Sequence, residues 1–291
     1  MTGPVPAAIE RALHDDFDLI PEPAGADGVL ALLTTPVDAP FLDRAGRRLR
    51  VVANFAVGVD NVDLAAAHER GVVVANTPDV LTHATAELAI TLTLTLLRRV
   101  AEGDRLIRAG GQWGFGLDFM LGASLEGKRF VVVGPGRIGR ETARLAEGLG
   151  ARARFAGRGD DLHAAAAAAD VLSLHCPLEV ATRHMIDASV LAAMRPTAVL
   201  VNTARGAIVD ERALIEALQS GTIAGAALDV FENEPDVPPE LIELENVVLS
   251  PHLGSATRET REAMGMLAVS ALRAVLVEGR VPPNVVRPSG L

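Results

Sequence analysis

Three ionisable residues close short apolar runs in the second half of this chain: Arg205 in "VNTARG", Glu234 in "DVFENEP" and His252 in "SPHLGSAT". Taken singly, each has an ordinary structural reading: a surface cation, a solvated loop acid, a satisfied loop histidine. As a set they supply what reduction of a carbonyl requires. A guanidinium offers two parallel donors to the carboxylate and carbonyl of an anionic 2-oxo acid. The alkoxide that forms on hydride delivery needs a proton, and an imidazole is the usual donor near neutral pH. A carboxylate beside that imidazole favours its charged form, so Glu234 is expected to keep His252 protonated. General-acid assistance of this kind is worth roughly 10²- to 10⁴-fold in rate.

A hydride needs a carrier, and the sequence holds a loop suited to one. "GPGRIG", Gly134 to Gly139, follows the apolar run "FVVV" and opens the helical pattern "RETARLAEGLG". In that setting the first glycine permits a tight turn and the second lets backbone approach a pyrophosphate. The third lets helix lie on strand, and the helix N-terminus faces the negative charge. Glycines also cluster in ligand-free turns, so the flanking strand and helix give the motif its meaning. About 20 residues downstream, where an acid would hold a free ribose 2′-hydroxyl, stands "FAGRGDD", with Gly157 and Arg158. Absence of the acid removes repulsion of a 2′-phosphate, and an arginine fork suits that group, which favours NADP(H) over NAD(H). In the competing reading Arg158 is solvated and Asp160 or Asp161 turns in to bind ribose.

These residues need a scaffold. From residue 129 onward, "RFVVVG", "ARARFAG", "VLSLHCP", "TAVLVNTAR", "GAALDVF" and "NVVLSPH" read as strands, each too short for a helix and closed by turn residues. Helical patterns lie between them, as in "DERALIEALQSG", where Asp210 caps the start and Gly221 stops the turn. Such alternation predicts a doubly wound, Rossmann-type parallel sheet in an α/β fold. The first eighty residues repeat the theme with "GVLALLTT", "RVVANFAVG" and "GVVVANTP". A long helix from about Thr85 to Ala109 is expected to leave this smaller unit, and one from about Arg258 to Glu278 to return to it. The expected domains are therefore 1–84 with 256–291, for substrate, and 85–255, for dinucleotide, with a cleft between them. The run Ala164 to Ala169 reads as close-packed helix.

The whole-chain properties narrow the partners. At 291 residues, 49% of them apolar, two modest cores are affordable, and a net charge of −10 disfavours nucleic acid and anionic membranes. A small anionic substrate then needs a local basic site. The single cysteine, Cys176, excludes an internal disulfide and fits a reducing cytoplasm. The opening "MTGPVPAAIERALHDD" lacks the regions of a secretory signal, and "LAITLTLTLL" is about half of the roughly 20 residues a membrane span needs. His14, His68, His83, His163 and His184 have no partner motif, and no spacing suggests a metal site. His175 beside Cys176 is expected to be strand-end packing, and Trp113 a packing anchor ahead of the cofactor domain's first strand.

The run "GPGRIG", "LVNTARGAIVDERALIEAL", "AALDVFENEP" and "VVLSPHLGSAT" resembles the D-2-hydroxyacid dehydrogenase family, in matching order and spacing from about Ala53 to Met266. The resemblance implies a two-domain fold with a flavodoxin-like substrate domain, and a catalytic set that falls on Arg205, Glu234 and His252. It implies that backbone N–H groups of "NFAVGVDNVD", at Val57 and Gly58, bind the substrate carboxylate. Cofactor contacts carried over are Gly134, Pro135, Gly136, Arg137, Ile138 and Gly139; Gly157, Arg158 and Gly159; Cys176 and Pro177; Thr203, Ala204 and Arg205; Asp229; and His252 to Gly254. "AVGVDN", "NTPDVLTHATAELA", "PHLGSAT" and the basic residue after the second strand look most like glyoxylate/hydroxypyruvate reductases. Those are homodimers, in which an aromatic from the partner subunit can line the substrate site, here matched by Phe119. Two departures stand out. The family's opening strand, ahead of "GPVPAAIERAL", is missing, so the small domain is expected to lack an edge strand or the chain start to be misassigned. The chain is also short between Arg158 and Asp170, as if a strand and helix near the adenosine site were lost. A 3-phosphoglycerate dehydrogenase-like enzyme is the runner-up, and a non-catalytic dinucleotide-sensing regulator the alternative of another class.

Overall fold

The computed structural model describes residues 1–288. In chain order the elements are α1 (Ala7–His14), β1 (Gly28–Ala31), α2 (Ala39–Ala45), β2 (Val51–Asn54), α3 (Leu64–Glu69), β3 (Val73–Ala75), α4 (Thr82–Leu97) and α5 (Val100–Arg108). There follow β4 (Arg129–Val133), α6 (Arg137–Gly148), β5 (Arg152–Ala156), α7 (Leu162–Ala168), β6 (Val171–Leu174), α8 (Ala188–Ala193), β7 (Val199–Asn202) and α9 (Glu211–Gln219). The last are β8 (Gly225–Leu228), α10 (Pro239–Ile242), β9 (Val247–Leu249), α11 (Arg258–Leu276) and β10 (Val285–Val286). They divide into two compact units, Met1–Leu81 with Ser255–Leu291 and Thr82–Gly254.

The larger unit is built on a six-stranded sheet in the order β5-β4-β6-β7-β8-β9, every pair parallel. Strands β6, β7 and β8 are buried throughout. That explains why "VLSL", "VLVN" and "GAAL" read as unbroken apolar or small runs rather than as an alternation. Aspartates set where the helices begin: Asp161, Asp187 and Asp210 accept backbone N–H groups from the first turns of α7, α8 and α9, each cap worth about 1 kcal/mol. The strand order reverses around β4, which has β5 on one side and β6 on the other, and ligands of open α/β sheets bind at such a point beyond the strands' carboxyl ends.

The smaller unit holds the sheet β1-β2-β3-β10, with α1 and α11 packed together and α11 lying on β1 and β2. The sequence gives three parallel strands here; the fourth, β10, is antiparallel to β3 and only two residues long. At the β1 edge, Thr2 N–H donates to Leu30 O (3.1 Å) and Leu32 N–H to Thr2 Oγ1 (2.9 Å).

Two expectations are corrected. The predicted single helix from Thr85 to Ala109 is two, α4 and α5, broken at Arg99, whose φ of 54° is left-handed. The Leu97 carbonyl is taken by the Ala123 N–H at 2.8 Å, a residue far downstream, and so cannot continue the helical ladder. Trp113 is no packing anchor: it is 62% exposed, in the glycine-punctuated stretch "GQWGFGLDFMLG" that also exposes Phe115, Leu117 and Leu121. Between β5 and β6 the chain forms α7 alone. Among the described residues no helix is long and apolar enough to cross a membrane.

Candidate active site

The glycine loop joins β4 to α6 as a tight turn. Gly134 takes φ +95°, and a Cβ there would lie 2.6 Å from Cys176 N, so only glycine lets the turn pass beside the end of β6. Gly139 packs as closely, since a Cβ would sit 2.3 Å from Gly134 O. At Gly136, the N-cap of α6, no side chain caps the helix and a Cβ would meet nothing within 4 Å. A 12-residue helix therefore begins with no side-chain cap on its first N–H groups, the arrangement that receives a phosphate. Beyond β7, on the far side of β6, the buried Thr203 Oγ1 has no hydrogen-bond partner among the described residues, a polar atom suited to a bound ligand. These features fit a dinucleotide.

His252 and Glu234 meet as expected. His252 Nδ1 lies 2.7 Å from Glu234 Oε2, with about a third of each side chain exposed. Burial pushes the Glu234 carboxyl up, but the His252 hydrogen bond and charge, the Phe231 N–H (3.0 Å) and the Arg205 charge outweigh it and hold the group below its ordinary value. Arg205 thus acts on the same carboxylate. Its own guanidinium donates to Ala204 O (2.7 Å), and its carbonyl accepts from Asn202 Nδ2 (2.9 Å). The following residue must be glycine: a Cβ at Gly206 would fall 1.9 Å from the Phe231 carbonyl carbon. That close approach seats the end of β7 against the segment that carries Glu234.

His252 itself sits at φ +53°, a conformation uncommon for a non-glycine residue and one that local structure must impose. Asp229, 1% exposed at the end of β8, imposes it. Its Oδ1 accepts from Ser250 Oγ (2.5 Å) and Leu253 N–H (2.7 Å), its Oδ2 from Gly254 N–H (2.8 Å), and its carbonyl from His252 N–H (2.8 Å). Burial raises the Asp229 carboxyl against the pull of these donors. This clamp was not legible in the sequence, where Asp229 reads only as a cofactor contact. A second arrangement the sequence did not signal lies behind Glu234: Glu232 accepts from His184 Nε2 (2.7 Å), and its N–H donates to the nearly buried Glu211 (3.3 Å). His83, another histidine without a motif, pairs with Glu141 at 2.8 Å.

The remaining predicted positions fall as follows. In the smaller unit, the carbonyls of Val57 and Gly58 accept from Asn76 Nδ2 (2.9 Å) and Asn54 Nδ2 (2.8 Å), which fixes the peptide planes of that loop. Phe119 is 42% exposed. Burial lowers the His175 imidazole to about 4 and raises the Cys176 thiol to about 11, which disfavours the thiolate. At the end of β5, Gly157 N–H donates to Asp160 Oδ2 (2.7 Å), Asp161 is spent capping α7, and Arg158 Nη2 lies 2.9 Å from Glu179 Oε2.

The D-isomer specific 2-hydroxyacid dehydrogenase NAD binding domain model matches residues 90–254, the span that carries the glycine loop and all three ionisable residues. The chain belongs to that family. As a D-2-hydroxyacid dehydrogenase it is an oxidoreductase with an NAD-binding domain of Rossmann type. It is 44% identical over 278 residues to a glyoxylate reductase of Thermococcus litoralis, covering 89% of this chain and 83% of that one. A glyoxylate reductase of Aeropyrum pernix is 45% identical over 279 residues, covering 90% and 83%. Among solved structures, an NADPH-dependent glyoxylate/hydroxypyruvate reductase from Sinorhizobium meliloti, in complex with NADP and malonate, superposes with a TM-score of 0.86. It is 36% identical and covers 99% of this chain and 98% of that one.

Proposed function

We propose that this dehydrogenase reduces a small 2-oxo acid of the glyoxylate or hydroxypyruvate type to the D-2-hydroxy acid, with NADPH favoured over NADH. The observation that carries the reading is the 2.7 Å contact of His252 Nδ1 with Glu234 Oε2 on a loop clamped by Asp229, with the Arg205 charge acting on the same carboxylate. When bound, the dinucleotide supplies the hydride. Gly134 to Gly139 would hold its pyrophosphate, with Pro135, Arg137 and Ile138 beside it. Gly157 to Gly159, Cys176, Pro177, Thr203, Ala204, Asp229 and Gly254 would line its remainder. Arg205 binds the substrate carboxylate and carbonyl. His252, with Nδ1 committed to Glu234, presents Nε2 to the carbonyl oxygen and delivers the proton there as the alkoxide develops. The exposed apolar side chains from Trp113 to Leu121 support a homodimer in which the partner covers them and Phe119 reaches the partner's site. A cytoplasmic setting fits the reading, as does a small-molecule partner in place of nucleic acid or membrane.

Wild-type protein is expected to oxidise NADPH, and NADH more weakly, on glyoxylate and hydroxypyruvate in a steady-state assay. Nucleotide binding with no oxidation on any 2-oxo acid would mark a sensor instead. A second expectation concerns the ion pair. The His252 hydrogen bond and charge help to hold the Glu234 carboxyl below its ordinary value. Glu234→Gln keeps the shape but withdraws the carboxylate from the imidazole, and loss of a charge-assisted hydrogen bond of roughly 1.5 kcal/mol should lower kcat/KM for reduction by about tenfold. An unchanged kcat/KM would remove Glu234 from this role.

A further inference from the structure

The Arg158 guanidinium already has an anionic partner. Its Nη2 lies 2.9 Å from Glu179 Oε2, with 88% of the Arg158 side chain and 46% of the Glu179 side chain exposed. Arg158 follows β5 and Glu179 follows β6, the two strands that flank β4. The ion pair therefore joins the loops that follow the two strands on either side of the strand that carries the glycine loop. Contacts on both sides place it there. Gly134 packs against Cys176, and Pro135 is 3.5 Å from where a Cβ on Gly157 would stand. The position of Glu179 is built, not incidental. Its N–H donates to Thr182 Oγ1 (2.8 Å), Thr182 Oγ1 donates to Pro177 O (2.7 Å), and its carbonyl accepts the Arg183 N–H (3.0 Å). On the β5 side the Asp160 carboxylate accepts the N–H of Gly157, the residue before Arg158.

We propose that Glu179 is a specificity-determining residue, which engages the guanidinium that would receive a ribose 2′-phosphate and so limits the preference for NADPH over NADH. This rests on the reading of Arg158 as the 2′-phosphate contact. A 2′-phosphate, with a charge of about −1.5 to −2 at neutral pH, must either displace the Glu179 carboxylate or share Arg158 with it at a separation of a few ångströms. NADH, with a neutral 2′-hydroxyl, meets no such contest. Like-charge repulsion at about 6 Å in a water-rich setting corresponds to a weakening on the order of fivefold, and it fades as salt shortens the screening length to about 3 Å at 1 M.

The test is the Kd of NADPH and of NADH, from fluorescence titration without substrate, for wild type, Glu179→Gln and Arg158→Ala at low and high salt. Glu179→Gln is expected to bind NADPH about fivefold more tightly at low salt and to lose most of that gain at 1 M, with NADH affinity unmoved. Arg158→Ala is expected to weaken NADPH far more than NADH. If Arg158→Ala has that effect but Glu179→Gln leaves NADPH unchanged, the gating role is overturned while the Arg158 reading stands. If neither substitution alters NADPH binding, both fall. Equal changes for the two nucleotides in Glu179→Gln would indicate an altered loop and would overturn the proposal as well.

Discussion

Replacing His252 with alanine is expected to lower kcat for reduction of glyoxylate by about 10²- to 10⁴-fold, the range for a lost general acid, with a much smaller change in nucleotide affinity. The substitution removes the proton donor and leaves its supports in place. Asp229 still holds the Leu253 and Gly254 N–H groups, and Phe231 still donates to Glu234. Relief from the left-handed φ at position 252 would, if anything, follow glycine rather than alanine, so the loop has no new reason to collapse. Stopped-flow measurement of a single turnover separates the chemical step from binding. An unchanged rate in that step would exclude His252 as the donor.

The second large effect is expected at Arg205. Arg205→Ala should raise KM for glyoxylate and lower kcat together, because the guanidinium is assigned to the carboxylate in the ground state and to the carbonyl oxygen as charge builds on it. Loss of a charge-assisted bidentate contact is worth roughly 1.5–3 kcal/mol, so kcat/KM should fall by at least an order of magnitude. Arg205→Lys should recover only part of it, since an ammonium restores the charge but not the planar fork. Steady-state kinetics across a range of 2-oxo acid concentrations resolves the two parameters. A variant with normal KM would take Arg205 away from the carboxylate.

The parts of this molecule that were legible in the sequence are those fixed over short range. Five of the six strands of the larger sheet are marked by apolar runs that close in glycine, proline, asparagine or aspartate, β5 by its closing glycine, and their alternation with helices signals a parallel sheet. Arg205, Glu234 and His252 were legible because each stands just past such a run, where open α/β sheets place their chemistry. What was hidden depends on partners distant in the chain. The break between α4 and α5 is decided by Ala123 taking the Leu97 carbonyl, and "LTLTLLRRVAEGDRLIR" contains no proline or cap to announce it. Asp229 clamps the His252 loop through residues more than twenty positions downstream, and no spacing rule marks a buried aspartate for that task. The exposure of Trp113 runs against the usual burial of tryptophan, and its stretch holds glycines in place of any periodic pattern. Arg158 was read correctly as a cation at the end of β5, but Glu179 lies 21 positions away on another strand's loop, and only the folded sheet brings the two to one edge.

The central claim is that Arg205, Glu234 and His252 serve a D-specific reduction of a small 2-oxo acid. The most direct test is to supply hydroxypyruvate with NADPH to the wild-type protein and resolve the configuration of the glycerate formed by chiral chromatography. Stoichiometric oxidation of NADPH with D-glycerate as the product is expected. L-glycerate, or NADPH that binds and is not oxidised, would contradict it.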